Sequence, residues 1–143
     1  MASVKGIKLV LKVGNGASPE VFTARCSLNA QRGIKFTADL QDTAEVDCTD
    51  PEKVAWLVRD KVSVSGEVNA SGVLDKADLA FFFDWVKDKD AKNCEVVVDI
   101  AGGYLWEGAW HCSDFEVTGD RGKRCEISIN LKSEGEIEGS AVD

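Results

Sequence analysis

The segment YLWEGAWHCSDFEV, residues 104–117, concentrates the residue types that could perform chemistry. It contains two of the four tryptophans, the single histidine and one of the five cysteines of the chain. A cysteine beside an imidazole can act as a nucleophile. The carboxylates of Asp114 and Glu116 could serve in general acid or base catalysis. This segment is therefore the first candidate for an active site.

The alternation of residue types along this segment argues against catalysis. Aromatic and small residues share one parity, as on one face of a β-strand: Tyr104, Trp106, Gly108, Trp110 and Cys112. His111 then points away from Cys112, because neighbouring strand residues face opposite sides. After Cys112 the apolar residues move from even-numbered to odd-numbered positions, at Phe115 and Val117. This change of face predicts a β-bulge near 112–114. We expect no catalytic residue here and no enzymatic activity.

The cysteines form no recognisable metal or disulfide pattern. Their number is odd, their spacing is wide, and neither a C-x-x-C pair nor a second histidine is present, so no zinc site is predicted. The amino terminus lacks the features of a signal peptide, and no stretch reaches the roughly 18 apolar residues of a membrane helix. We expect reduced thiols in a cytoplasm, mostly buried as small hydrophobes, and no metal, cofactor or membrane contact.

Length and charge narrow the classes of function. The 143 residues, 44% hydrophobic and 29% charged, fit one folded domain. Acidic residues outnumber basic ones 25 to 17, a net charge of −8, and the excess concentrates in residues 37–60 and at the carboxyl end. Such a chain is not expected to grip phosphate backbones. It could instead form a surface that repels them.

Alternation of apolar and polar residues covers most of the chain and predicts β-strands. Strands are expected near residues 7–13, 22–28, 34–40, 44–48, 62–70, 96–100, 104–117 and 125–131. The segments 34–40 and 44–48 are either two short strands or one long hairpin arm. The turn residues of GNGASP, 14–19, predict an antiparallel hairpin between the first two strands. Residues 41–60 are predicted to form an extended acidic loop, in which Asp50-Pro51 could begin a single helical turn. Residues 134–143 are predicted to form an acidic tail of one domain that spans residues 1–143.

One segment has a helical period instead. In residues 75–89, Leu79, Phe82, Phe83 and Val86 recur at i, i+3, i+4 and i+7, and Asp75 is the candidate N-cap. We expect this apolar stripe to pack against the sheet. The predicted fold class is therefore mainly β, or α+β, with an antiparallel β-sandwich or β-barrel and one flanking α-helix.

Two stretches resemble the major tail tube proteins of long-tailed, siphovirus-type bacteriophages and related tail-like particles. Residues 29–73 contain, in order, a strand, an acidic loop, a tryptophan-containing segment and the strand SVSGE ahead of the helix. Residues 104–138 resemble the closing hairpin of that family, with a G-D turn and an L-x-S-x-G-x-I finish. The tryptophan-rich strand and the five cysteines are departures from the family pattern.

The resemblance implies a structural subunit that assembles with itself into hexameric rings, and the rings stack into a tube for DNA passage from capsid to host cell. Other implied partners are the tape measure protein, the tail terminator or distal tail proteins, and double-stranded DNA that passes without specific contacts. The implied location is the virion tail, after assembly in the bacterial cytoplasm.

The same resemblance gives roles to two sets of residues. A water-filled bore needs one polar strand face, and residues 32–39 and 62–70 supply these lumen candidates: Lys35, Thr37, Asp39, Ser63, Ser65, Glu67 and Asn69. In the family, the acidic loop reaches toward the neighbouring ring. The ring-stacking candidates are Asp42, Glu45, Asp47 and Trp56.

An alternative function is a soluble β-sandwich module that binds a sugar or peptide on exposed aromatic side chains. Its stacking platform would consist of Trp56, Tyr104, Trp106 and Trp110. Exposure of these rings would favour the binding module, because a tube subunit would bury most of them or place them between rings.

Overall fold

The computed structural model describes residues 2–16, 19–25 and 27–142, and these form two compact units. The first unit comprises Met1–Lys35 and Gly66–Asp143, and the second comprises Phe36–Ser65. The strands are β1 Leu9–Gly14, β2 Phe22–Ala24, β3 Gln31–Glu45, β4 Trp56–Val73, β5 Lys92–Val98, β6 Tyr104–Thr118 and β7 Glu126–Ala141. The helix α1 is Leu79–Lys87, and two 3₁₀ turns span Gly6–Lys8 and Lys76–Asp78.

The strands follow the order β2-β1-β5-β6-β7-β4-β3 in one sheet. The pairings of β1 with β2 and β5, of β6 with β5 and β7, and of β4 with β7 are antiparallel. The predicted fold of antiparallel strands with one α-helix is confirmed, as is the hairpin of β1 and β2. In the described part of the chain, no helix is long and apolar enough to span a membrane.

The aromatic segment forms β6, which lies between β5 and β7. Its pairing with β7 shifts register between Cys112 and Asp114, so the predicted bulge is confirmed. A second shift lies between Glu107 and Ala109, where β7 has extra residues and Gly135 has a φ of 75°. A positive φ of this kind strongly favours glycine.

The core of the first unit comes from alternate residues of several strands. It includes Leu11 and Val13 of β1, Val68 and Ala70 of β4, and Ile127, Ile129 and Leu131 of β7. Trp110 of β6 is completely buried, and Phe82 of the helix stacks on Phe115 of β6 with ring centroids 6.2 Å apart. The helix therefore covers β6 on the apolar face of the sheet.

The predicted apolar stripe of the helix is confirmed for Phe82 and wrong for its other three members. Phe82 and Trp85 are buried, whereas Leu79, Phe83 and Val86 are exposed. The reason is Asp78, which precedes the helix and is turned inward, where its Oδ2 accepts a hydrogen bond from the Ser27 amide at 3.2 Å. The buried face therefore continues from Asp78 through Phe82 and Trp85. The predicted cap at Asp75 exists on the preceding 3₁₀ turn, where its side chain accepts from the Ala77 amide.

The segment 27–32 connects distant strands of the first unit. The Arg32 Nε atom donates to the Leu9 carbonyl oxygen of β1 at 2.6 Å, and the Ala30 amide donates to the Ser71 carbonyl oxygen of β4 at 3.0 Å. β1 and β4 are separated by three strands in the sheet order. The sheet of this unit therefore curls until both strands reach the same segment.

The second unit, residues 36–65, is called the hairpin arm below. It contains the parts of β3 and β4 that lie nearest the connection between them. The predicted loop at 41–60 is therefore strand through Glu45 and again from Trp56, and only residues 46–55 connect the two. Asp50-Pro51 lies among turns rather than in a helix. In the first unit, the predicted acidic tail is strand β7 as far as Ala141.

The cysteines only partly follow the prediction of buried thiols. Cys94 and Cys112 are buried, but Cys48 and Cys125 are exposed because they lie in connections between strands. All four are free thiols, and Cys26 lies outside the described residues. The prediction of mostly buried cysteines is therefore wrong for Cys48 and Cys125.

Candidate assembly interface

The residues of β6 that suggested catalysis are held apart. Cys112 is packed in the core, and burial, with Asp114 as a second cause, raises the pKa of its thiol to about 11. His111 lies on the other face, where its Nε2 atom is 3.1 Å from Oε2 of Glu134. Among the described residues, no group of three or more histidine, cysteine or acidic side chains could hold a metal ion. This strand therefore has no arrangement for nucleophilic chemistry.

The face of the sheet opposite the core is polar in the first unit. Glu67 and Asn69 of β4 lie opposite Lys132 and Asn130 of β7, and Asn130 also lies opposite Asp114 of β6. The Lys132 Nζ atom is 3.6 Å from Oε1 of Glu67, and the Asn130 side-chain amide donates to Asp114 Oδ2 at 2.9 Å. Three neighbouring strands therefore share one polar surface.

Sequence reasoning found only the β4 part of this surface. It assigned Glu67 and Asn69 to a lumen but missed Ser128, Asn130 and Lys132 of β7, although these alternate with the buried Ile127, Ile129 and Leu131. That alternation was the signal that could have found them. Lys35, the other lumen candidate in the first unit, is exposed on β3.

The remaining lumen candidates lie in the hairpin arm, and all four are exposed: Thr37, Asp39, Ser63 and Ser65. Within the arm, the Arg59 Nε atom is 3.1 Å from Asp42 Oδ1. Strand alternation gives Thr37 and Asp39 the parity of Lys35 on β3, and Ser63 and Ser65 the parity of Glu67 and Asn69 on β4. That these side chains face a bore stays a prediction.

Three of the four stacking candidates lie together at the arm tip, which we define as residues 45–56. Glu45, Asp47 and Trp56 line one shallow pocket, with Val46, Lys53 and Val54. Trp56 is 80% exposed and Val54 is 86% exposed. The fourth candidate, Asp42, lies on β3 just before the tip and forms an ion pair with Arg59. The tip therefore presents an unusually exposed apolar surface.

Asp47 shapes the turn at the tip. Its Oδ1 atom accepts hydrogen bonds from the Thr49 hydroxyl at 2.7 Å and the Thr49 amide at 2.9 Å. These bonds lower the pKa of the Asp47 carboxyl below its usual value. The carboxylate form is thus favoured by the same contacts that hold the turn.

The aromatic residues do not form the platform expected of a ligand-binding module. Trp110 is completely buried and Trp106 is half-buried against the core. Tyr104 is exposed and contacts Trp106, with ring centroids 5.4 Å apart. A stacking surface that includes Trp110 is therefore excluded.

Comparisons with known proteins agree with a structural role. A family described as phage tail tube protein matches residues 3–139. The search of curated proteins found no match.

Solved structures with low sequence identity share the fold. A chain in the virion of a native gene transfer agent (GTA) particle is 18% identical, with 97% of this chain and 100% of that chain covered and a TM-score of 0.74. A chain in the tail of an empty GTA particle, with C6 symmetry, is 17% identical, with the same coverage and TM-score. The SPP1 tail tube protein is 11% identical, with 98% and 80% covered and a TM-score of 0.67. Because the family match spans nearly the whole sequence, the chain belongs to the phage tail tube protein family as a structural tube subunit.

Proposed function

We propose that this chain assembles into hexameric rings that stack into a tail tube and conduct double-stranded DNA from capsid to host cell. Assembly takes place in the bacterial cytoplasm, and the tube is part of the virion tail. Membership of the tail tube family and the C6 symmetry of the similar GTA tail support this proposal. The role is structural, and no catalytic step is assigned to it.

The observation that carries the proposal is the open edge of the sheet. β3 lies at one end of the strand order and is 15 residues long, and the short β2 lies at the other end. A long edge strand presents unpaired backbone groups that readily pair with another chain. We propose that the edges of neighbouring subunits pair within a ring, which continues the sheet around the tube.

The polar face of the first unit is proposed to line the bore. Glu67 and Asp114 contribute negative charge to this face, whereas Lys132 is paired with Glu67. A surface with excess negative charge and hydrogen-bonded amides repels phosphates and keeps DNA mobile. Lys35, Glu67 and Asn69 remain proposed lumen residues. In the arm, Thr37, Asp39, Ser63 and Ser65 remain proposed lumen residues, since they share the strand parity of Lys35, Glu67 and Asn69.

The hairpin arm is proposed to mediate stacking between rings. Its tip exposes Trp56 beside the carboxylates of Glu45 and Asp47, and Asp42 forms an exposed ion pair with Arg59. Exposed tryptophan is typical of residues that dominate binding energy in protein interfaces. The proposed further partners are the tape measure protein inside the tube, and terminator and distal tail proteins at its ends.

Electron microscopy of the purified protein at increasing concentration tests the assembly. We expect tubes with six-fold rings, and a map should place Asn69 at the bore. A variant with residues 46–55 replaced by a short Gly-Ser turn should fold but form no tubes. If the native chain gave only monodisperse subunits at every concentration, the proposed function would be wrong.

Charge reversal tests the bore. Glu67, Asp114 and Glu116 are changed together to lysine, and the tubes are sedimented with short duplex DNA. We expect these tubes to retain DNA in a salt-sensitive way, because lysine neutralises phosphate. The control reverses three acids near the helix: Asp84, Asp88 and Asp90. Equal DNA retention by the two variants would contradict the placement of the polar face in the bore.

A further inference from the structure

The connection between β6 and β7 carries a cluster of positive charge on an acidic protein. Arg121, Lys123 and Arg124 lie within four residues, and all three are exposed. In the described part of the chain, none of them forms an ion pair, although 25 acidic residues are available in the sequence. We call residues 119–125 the basic turn. Its cations are therefore available to a partner.

The arm tip has the complementary chemistry. Four acids, Glu45, Asp47, Asp50 and Glu52, lie in the tip against a single base, Lys53. The exposed ring of Trp56 lies beside this charge. A guanidinium group can bind a carboxylate with two parallel hydrogen bonds, and it can also stack on the face of a tryptophan. Arginine side chains can thus satisfy both features of the tip.

We propose that the arm tip of one subunit docks on the basic turn of a subunit in the next ring. This inference rests on the proposed function and names the surface that receives the arm. The occupant of the basic turn is a second copy of this chain, because the two surfaces have opposite charge and combine Arg with Trp, which are prominent residues of strong interfaces.

The geometry of association agrees with a tube. The tip and the basic turn are different surfaces, so a contact between them is heterologous rather than self-complementary. When two subunits are joined in this way, one of them keeps an unoccupied tip and the other keeps an unoccupied basic turn. Repetition of such a contact builds an open filament when its rotation does not close into a ring, and stacking of rings requires a contact of that kind.

Two exposed thiols report on this contact. Cys48 lies in the arm tip and Cys125 lies in the basic turn, and both are free. Docking would bring Cys48 of one subunit near Cys125 of another. Mild oxidation of tubes should therefore yield a Cys48–Cys125 disulfide between chains, identified by mass spectrometry. Dispersed subunits at low concentration should yield much less of it, and Cys125→Ser should abolish it.

Charge reversal gives the decisive test. One variant changes Arg121, Lys123 and Arg124 to glutamate, and a second adds the opposite change of Glu45, Asp50 and Glu52 to lysine. Asp47 is retained because it holds the turn through Thr49. We expect at least a tenfold rise in the concentration needed for tubes in the first variant, and restoration in the second. The control changes three exposed lysines to glutamate: Lys5, Lys76 and Lys89.

Each outcome is decisive when circular dichroism shows that the variants are folded. Normal tubes from the first variant would overturn the docking while leaving the proposed function intact. Failure of the double variant to assemble would also overturn it, because restored complementarity should restore binding. Normal tubes with reduced binding of duplex DNA to the first variant would make the basic turn a nucleic acid contact instead. If the native chain formed no tubes, the proposed function and the docking would fail together.

Discussion

Glu95 of β5 and Glu107 of β6 lie directly opposite each other as a pair of like charges across neighbouring strands. On the other side of β5, Lys12 of β1 lies opposite Glu95 and offsets part of the repulsion. Partial burial, followed by the charges of Glu107 and Glu20, raises the pKa of the Glu95 carboxyl above its usual value, and Lys12 opposes this shift. The pair is therefore a local source of instability in the folded state at neutral pH.

Replacement of Glu107 by glutamine should stabilise the subunit at neutral pH. A raised pKa in the folded state means that folded Glu95 binds its proton more tightly than unfolded Glu95, so stability falls as pH rises through the folded pKa. Removal of the opposite charge should raise the free energy of unfolding by about 0.5 kcal/mol at pH 7. The gain should disappear below the usual pKa of glutamate, where both carboxyls are protonated.

Urea unfolding of dispersed subunits at several pH values measures this effect. Glu116→Gln is the matched control, because Glu116 lies opposite Ser128 rather than another acid. An equal gain from both substitutions, or a gain from Glu107→Gln that persists in acid, would contradict the repulsion.

Period-two alternation predicted the strands of the first unit because one face of each strand is buried there. The bulge at Cys112–Asp114 was predictable for the same reason, since the apolar parity changes within a single strand. In the hairpin arm, alternation predicted strands near 34–40 and 62–70, but residues 41–60 were predicted to form a loop, although they are strand through Glu45 and again from Trp56. Most side chains of the arm are exposed, including Phe36 and Val62, so burial does not select one parity there. The acidic residues of 41–60 therefore resembled those of a loop.

The helix shows a different limit of sequence reasoning. Its sequence contains two overlapping apolar stripes, and both satisfy a helical period. The predicted stripe joined Phe82 to three residues that are exposed, whereas Phe82 is buried together with Trp85. Ser27 decides between them by binding Asp78, which fixes the rotation of the helix. Ser27 lies 51 residues earlier in the chain, so no local pattern could reveal the choice.

The four described cysteines should differ sharply in reactivity. Burial raises the pKa of Cys112 to about 11, and burial raises that of Cys94 well beyond its usual range. Since the thiolate is the reactive form, native protein at pH 8 should label quickly at Cys48 and Cys125. The two buried thiols should label only after unfolding, at least a hundredfold more slowly in the native state. Mass mapping of alkylated peptides over time checks this, and rapid native labelling of Cys94 would contradict the buried core.

Loss of the buried carboxylate before the helix should be costly. Asp78 is 3% exposed and accepts from the Ser27 amide, and its Oδ1 atom is 3.4 Å from Nη1 of Arg25. Asp78→Ala leaves a buried amide and a partly buried guanidinium without an acceptor. We expect a loss of about 2–3 kcal/mol in the free energy of unfolding, below the usual range for a broken buried pair because Arg25 is partly solvated.

Asp78→Asn separates the two contributions. Asparagine retains an oxygen that can accept from Ser27 but lacks the charge that attracts Arg25, so its loss should be about half that of alanine. Urea unfolding at pH 7 provides the comparison. Equal losses for Asn and Ala would show that the ion pair, and not the hydrogen bond to Ser27, dominates at this position.

Two glycines on strands should respond to alanine with opposite signs. An added Cβ atom at Gly72 of β4 would meet the Ser27 carbonyl oxygen and, at 2.7 Å, the Asn29 amide nitrogen. Both are backbone atoms of the segment that bridges β1 and β4, so they cannot move aside without breaking that bridge. At Gly33 of β3, a Cβ atom would meet nothing within 4 Å.

Gly72→Ala should therefore destabilise the subunit by about 2–3 kcal/mol through overpacking. Gly33→Ala should stabilise it by roughly 0.5 kcal/mol, because alanine loses less backbone entropy on folding. Thermal unfolding of both variants beside the native chain decides the matter, and a stable Gly72→Ala subunit would mean that residues 27–29 do not pack against β4.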